Sequence, residues 1–253
     1  MNSTEYSIVI PTRYGSSRFP GKPLFELNGR AMILHVIDRA RESSAARVVF
    51  ATDDERIAKI CSDAHAQVQM TDPGHVSGTD RIAEVASTLG WSEDTIIVGL
   101  QGDEPATSAT LLDRLAANLH HNEHADMATY CTPVRSIEEY NNTNRVKVVR
   151  NSQNIAMYFS RASIPAQRDA SLSGTFPNAF IHVGLYAYRC HYLKKFAALP
   201  ACYVEQQEQL EQLRVLYNGG TIHVDEINEV AGGVDHPDDV PAIEKLLAQS
   251  VFK

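Results

Sequence analysis

SIVIPTRYGSSRFPGKP, residues 7–23, is the stretch that decides the fold. Ser7 to Ile10 form a continuous rather than alternating apolar run, which marks a strand covered on both faces. At Pro11 the run breaks into a loop that sets Gly15, Ser16 and Ser17 between Arg13, Arg18 and Lys22. Beyond the loop, Met32, Ile33, Val36, Ile37 and Ala40 keep helical spacing. A buried strand, a polar loop and an amphipathic helix make the opening unit of an α/β domain.

The same alternation continues outward. RVVFAT (47–52) predicts a second strand, with Asp53 as helix N-cap before ERIAKICSDA (55–64). Residues 68–71 predict a short strand, DPGHVSGTD (72–80) a loop and 81–89 a helix. TIIVGL (95–100) predicts a third long strand that runs into Gln101-Gly102-Asp103-Glu104-Pro105. Continuous apolar strands separated by amphipathic helices indicate a doubly wound, mostly parallel sheet. Residues 146–149, 155–159 and 180–188 then read as strands with few helices between them. They are either antiparallel additions to the main sheet or a small antiparallel β subdomain. Helices are expected at 190–199, through 205–217 and near 238–248, with a strand at 221–227. The chain, 1–253, reads as a single domain, to which residues about 140–220 contribute a subdomain.

Composition excludes several classes. With 43% hydrophobic and 21% interspersed charged residues, the 253-residue chain is neither disordered nor fibrous. A net charge of −8 argues against a protein that coats nucleic acid or anionic membrane, so neither is an expected partner. The four cysteines, Cys61, Cys131, Cys190 and Cys202, are scattered without a C-x-x-C pair, which suits a reducing compartment. No leader and no membrane-length apolar run is read, and a cytoplasmic location is expected.

Two constellations carry chemistry. The loop after the first strand lies where open α/β sheets bind ligands, beyond the carboxyl end of a strand. Its small residues let backbone N–H groups close on an anion, and its Arg and Lys supply charge. It is neither a Walker A loop nor a G-x-G-x-x-G fingerprint, and it favours a triphosphate over a merely solvated basic loop. The second is Asp103, with Glu104 on the opposite pleat. A carboxylate at the end of a buried strand is costly unless it faces a ligand or metal, so Asp103 is the candidate for a hard cation. Asp235, on the glycine-flanked turn GGVDHPDD (232–239), reads by itself as a turn residue. His120, His121 and His124 read as a solvated helix end, where the dipole favours them.

The motifs RYGSSRFPGKPL, ATDD, HVSGTDRIAEV, QGDEP, VKVV, YFSRASIP, HVGLYAYR, LEQLRVL and GVDHPDD occur in this order between about residues 6 and 247. Together they resemble the 3-deoxy-manno-octulosonate cytidylyltransferases, nucleotidyltransferases with a Rossmann-like sheet. The resemblance implies transfer of CMP from CTP to the anomeric hydroxyl of 3-deoxy-D-manno-octulosonate (Kdo) for lipopolysaccharide synthesis. It further implies Mg2+ as cofactor and a homodimer, with residues about 140–220 on the sugar and dimer side. It places Arg13, Gly15, Ser16 and Lys22 on the triphosphate, and Ser77, Gly78, Thr79 and Arg81 around the cytidine. Asp103 and Asp235 become magnesium ligands, and Arg13, Lys22, Asp103 and Asp235 the catalytic set. Gln101, Arg161, His182, Tyr186, Glu211 and Gln212 line the sugar pocket, with Arg161 offering a fork to the sugar carboxylate. His182 and Tyr186, four apart on a strand, share a face.

The chain departs from the family pattern at a few places. Thr12 and Gly15 replace two alanines of the first loop, and Asn142-Thr143-Asn144 replaces Asn-Pro-Asn. Ala106, Thr107 and Ser108 stand where apolar residues are usual after QGDEP, and Ala166 stands in place of a tryptophan. Ala166 opens space on the sugar side, which keeps an 8-amino-8-deoxy analogue, or another sugar acid such as sialic acid, as the alternative acceptor. A non-catalytic nucleotide-binding regulator on the same fold would have lost the acidic ligands, and both are present.

Overall fold

A computed structural model describes residues 4–15, 19, 21–168, 176, 178–228, 232–234 and 236–250. The first strand, β1 (Tyr6–Thr12), is buried along its whole length, because both faces of the sheet around it are covered. Ile8 and Ile10 pack on one face with α1 (Met32–Glu42) and α4 (Ala109–His121), through Ile33, Ile37, Leu111 and Leu115. Val9 points the other way, towards Ile82 and Val85 of α3 (Gly78–Thr88) and Phe196 of α6 (Cys190–Ala197). Burying each such side chain contributes about 1.5–3 kcal/mol, which explains the unbroken apolar run in the sequence.

The main sheet has the strand order β11-β7-β10-β6-β1-β4-β5. Here β4 is Arg47–Thr52, β5 Gln67–Met70, β6 Ile96–Gly99 and β7 Met127–Pro133, with β10 Phe180–Arg189 and β11 Ile222–Glu226. β1 pairs in parallel with β4 and β6, and β4 with β5. β10 runs antiparallel to both β6 and β7, while β11 is parallel to β7. The other six strands of this path therefore share one direction, and the loops after β1, β4, β5 and β6 emerge at one edge. β8 (Lys147–Arg150) and β9 (Ala156–Ser160) join this same sheet through β10, so the antiparallel strands are additions to the main sheet. A separate two-stranded hairpin, β2 (Glu26–Leu27) with β3 (Arg30–Ala31), follows the first loop.

Four local expectations change. The N-cap of α2 (Glu55–Asp63) is Asp54, which accepts from Arg56 N, while Asp53 turns to Arg81. The expected helix over 205–217 is two short helices, α7 (Tyr203–Glu208) and α8 (Leu213–Tyr217). They are separated at Gln209, which takes a left-handed φ of 53°. Leu210 lies between the two helices and is buried with Leu213, while Tyr217 at the end of α8 is exposed. β7 is a strand that the sequence reading did not provide for. Finally, β6 ends at Gly99, so Asp103 and Glu104 lie in a turn rather than on opposite pleats. The remaining helices are α5 (Ile137–Asn141) and α9 (Val240–Ser250). Among the described residues no helix is long and apolar enough to cross a membrane.

Candidate active site

The loop after β1 closes on itself. Gly21 N donates to the Tyr14 carbonyl at 3.1 Å, and Gly21 has φ +71°, with space for a Cβ limited by the Tyr14 ring at 3.2 Å. The Arg56 guanidinium covers that ring, 3.4 Å from its centroid. This closure delivers Lys22, whose side chain is only 8% exposed, to Asp103, with Nζ 2.6 Å from Oδ2. Asp103 sits in a turn closed by Glu104 N donating to the Gln101 carbonyl. The turn packs directly on the end of β1: a Cβ on Gly102 would stand 2.6 Å from Thr12 Oγ1, so only glycine fits there.

Between these two segments lies a cleft of about 250 Å³, lined by Arg13, Lys22, Ser77, Gly78, Gln101 and Asp103, with His75 and Arg81 at its side. A cation and a carboxylate thus face one cavity. The structure also corrects the reason given for Asp103: its side chain is 38% exposed and already paired with Lys22, so burial does not by itself demand a metal. Arg13 stands exposed at the rim. Gly15 is exposed, with open space where a Cβ would be.

The Ser77–Thr79 segment is held from two sides. Ser77 caps α3, its Oγ accepting from Asp80 N at 3.1 Å while donating to Glu211 Oε1 at 2.9 Å. Thr79 Oγ1 donates to Glu211 Oε2 at 3.0 Å. Glu211 is largely buried, and burial pushes its carboxyl above the usual range. Both its oxygens are engaged by the Ser77–Thr79 segment, which joins that segment to the one carrying Gln212. Arg81 is 3% exposed and bonds Asp53 at 3.1 Å and the Thr71 hydroxyl. It anchors the loops after β4 and β5 beneath the cleft. His75 is held by Glu84, with 2.5 Å between Nε2 and Oε2.

A smaller cavity of about 90 Å³ is lined by Thr79, Tyr186, Tyr188, Glu211 and Gln212 among others. His182 and Tyr186 do share a face, with ring centroids 5.3 Å apart, although β10 bulges between Val183 and Tyr186. Buried Thr129 holds this bulge: its Oγ1 lies 2.9 and 2.8 Å from the carbonyls of Val183 and Leu185 and 3.0 Å from His182 Nε2. The single hydroxyl proton goes to a carbonyl, so His182 Nε2 is the donor and Nδ1 is left as an acceptor. Although the ring keeps some exposed surface, the protein around it desolvates it and pushes its pKa down to about 3. Burial likewise raises the Tyr186 phenol well above its usual value.

The site residues expected from sequence therefore divide. Seven meet in the larger cleft, and Thr79, Tyr186, Glu211 and Gln212 meet in the smaller, with His182 beside Tyr186. Arg161 does not present a free fork: its Nε, Nη1 and Nη2 donate to the carbonyls of Glu208, Thr143 and Gln209. Ser16 and Asp235 lie outside the described residues, but Val234 N donates to the Asp103 carbonyl at 2.9 Å. Sequence reasoning missed Thr129, His75 and Lys147. For Lys147 the signal was present, a lysine inside the apolar run VKVV.

A family model described as cytidylyltransferase matches residues 7–226. The 3-deoxy-manno-octulosonate cytidylyltransferase of Thioalkalivibrio sulfidiphilus is 47% identical over 96% of this chain and 98% of its own. That of Alkalilimnicola ehrlichii is 46% identical over 98% of each. The chain belongs to the 3-deoxy-manno-octulosonate cytidylyltransferase family. A solved CMP:2-keto-3-deoxy-manno-octonic acid synthetase, complexed with CTP, superposes with a TM-score of 0.89 at 38% identity, covering 97% of this chain and 99% of that one. A 4-diphosphocytidyl-2C-methyl-D-erythritol synthase shares the fold, with a TM-score of 0.62 at 14% identity.

Within this family frame, the donor chemistry for a divalent cation can be tested on the residues themselves. No group of three or more His, Cys, Asp or Glu side chains suited to a metal occurs among the described residues. Asp103 offers a partly exposed carboxylate on the cleft. One or two carboxylates completed by phosphate oxygens and water is the donor set of Mg2+, and Asp103 is a donor of that kind.

Proposed function

We propose that this chain transfers CMP from CTP to the anomeric hydroxyl of 3-deoxy-D-manno-octulosonate. The bond from that oxygen to the α-phosphorus forms, the bond from the α-phosphorus to the bridging oxygen breaks, pyrophosphate leaves, and the hydroxyl proton passes to solvent water. The observation that carries this reading is the cleft at the carboxyl ends of β1 and β6, where Lys22, Arg13 and Asp103 converge within a member of this family. Arg13 and Lys22 hold the triphosphate, and the Ser77–Gly78 backbone at the start of α3 frames the nucleoside. Gln101, which lines the larger cleft, meets the acceptor sugar in this reading. His182, neutral at physiological pH, accepts from a sugar hydroxyl at Nδ1, and Tyr186 stays protonated as a donor. Positioning and charge neutralisation carry such a transfer, without a covalent intermediate. Asp103, and Asp235 as the family resemblance implies, would hold Mg2+, which would supply charge neutralisation of the triphosphate. Lys22 would pair with phosphate oxygens in place of Asp103.

The assembly and location belong to the same proposal. Tyr203 and Tyr217 form an aromatic pair 5.7 Å apart, 68% and 57% exposed, and Met157 and Tyr158 of β9 are exposed as well. An apolar surface of this kind on the 140–220 region supports a two-fold homodimer. All four cysteines are free and buried, which supports a reducing, cytoplasmic setting.

Pyrophosphate release is the test: it should appear with CTP plus Kdo, collapse when either is omitted, and fall sharply with ATP, GTP or UTP. Equal release with ATP, or none with Kdo, would overturn the reading. Light scattering should find two copies per particle, and a monomer at assay concentration would reject the dimer.

A further inference from the structure

Lys147 is completely buried at the start of β8, yet it ends in an ammonium group. Its Nζ donates to three main-chain carbonyls: Asn142 at 2.9 Å, Arg145 at 2.7 Å and Arg161 at 2.7 Å. A side chain needed only to fill volume would be apolar, because burying an ammonium costs several kcal/mol before its hydrogen bonds are counted. What the ammonium adds is direction, since three carbonyls from two separated segments must converge on one point.

The network continues outward from Arg161. Its guanidinium takes the carbonyls of Thr143, Glu208 and Gln209, and the Glu208 carboxylate answers by accepting from Ser160 Oγ at 2.6 Å and Arg161 N at 2.9 Å. The 142–145 turn, the end of β9 and the end of α7 are thereby tied together. The tie ends at Gln209, whose left-handed φ of 53° breaks the helix and sends the chain into Glu211 and Gln212. Those two residues line the smaller cavity, and Glu211 holds Ser77 and Thr79.

We propose that Lys147 is a positioning residue for the sugar-acid site, acting through Arg161 to fix the 209–212 segment. Arg161 is the middle member of this brace. The inference rests on the acceptor assignment made above for Kdo.

The full-length Lys147→Met enzyme keeps an unbranched stem of nearly the same length and removes all three donors. Its KM for Kdo should rise about tenfold, the scale of one lost charge-assisted hydrogen bond, while KM for CTP stays within about twofold, because Ser77 remains fixed as the cap of α3 through Asp80 N whatever Glu211 does. Amide exchange over 209–212 should quicken in the same variant. Loss of a merely structural residue would instead move both KM values together or neither, and that result would overturn the assignment. If Lys147→Met does not fold, Glu208→Ala decides the matter: it cuts the same network at a partly exposed side chain outside both cavities, and it should show the same one-sided rise in KM. An unchanged KM for Kdo in folded Glu208→Ala would then refute the brace. Wild-type enzyme that fails to turn over CTP with Kdo would strike the substrate reading itself, whatever the variants do.

Discussion

Replacing His182 with glutamine puts an amide nitrogen where the imidazole Nε2 stands and removes the titration. In the folded chain, burial holds the His182 pKa down to about 3, against an ordinary value of 6.5. As pH falls below 6.5 the unfolded chain takes up a proton that the folded chain refuses, so the stability tied to the neutral ring is complete above the unfolded pKa and is lost on acidification. At pH 5 the interval of 1.5 units corresponds to about 2 kcal/mol, at roughly 1.4 kcal/mol per unit. The ring retains some surface in the cavity, and screening there brings the expected value to about 1–2 kcal/mol. The assay is urea unfolding of wild type and His182→Gln at pH 8 and pH 5. Between these pH values wild type should lose about 1–2 kcal/mol more than the variant, and the donor to Thr129 should keep the pH 8 stabilities close. Equal losses would refute the argument that His182 is held neutral by its surroundings.

Asp103→Asn keeps shape and removes charge. Turnover should fall about a hundredfold or more, the scale of one electrostatic contact at a transferring group, with circular dichroism unchanged; near-normal turnover at low magnesium would end the role given to this carboxylate. Asp53→Asn leaves the buried Arg81 guanidinium without its counter-charge and should cost about 3 kcal/mol. Calorimetry should register that loss as a fall in Tm of roughly 6–12 °C, and an unchanged Tm would contradict the anchoring role. Because burial raises the Glu211 pKa, stability linked to it is present below the unfolded value and lost as pH rises through the folded one. Glu211→Gln should therefore gain stability relative to wild type as pH is raised from about 4 to neutral, and parallel urea-midpoint profiles would contradict it.

The parts legible in the sequence are those that short-range patterns dictate. β1, β4 and β6 follow from continuous apolar runs, because strands covered on both faces favour apolar side chains at successive rather than alternate positions. The loop after β1 follows from small residues and cations set beyond a strand end, and the motif series from RYGSSRFPGKPL to GVDHPDD placed the chain in its family. What tertiary structure alone decided depends on contacts between distant segments. Lys22 meets Asp103 across 81 positions of chain, and Glu211 meets Ser77 across 134. No local spacing encodes either pairing. Whether Arg161 faces a substrate or a set of carbonyls depends on where the α7 end comes to rest, which is set by packing and not by its own neighbours. The helix expected over 205–217 broke for the same reason: its apolar spacing is compatible with one continuous helix, but Arg161 and Glu208 tie down the end of α7. Local propensity proposes an element, and the directional hydrogen bonds of distant groups determine where it stops.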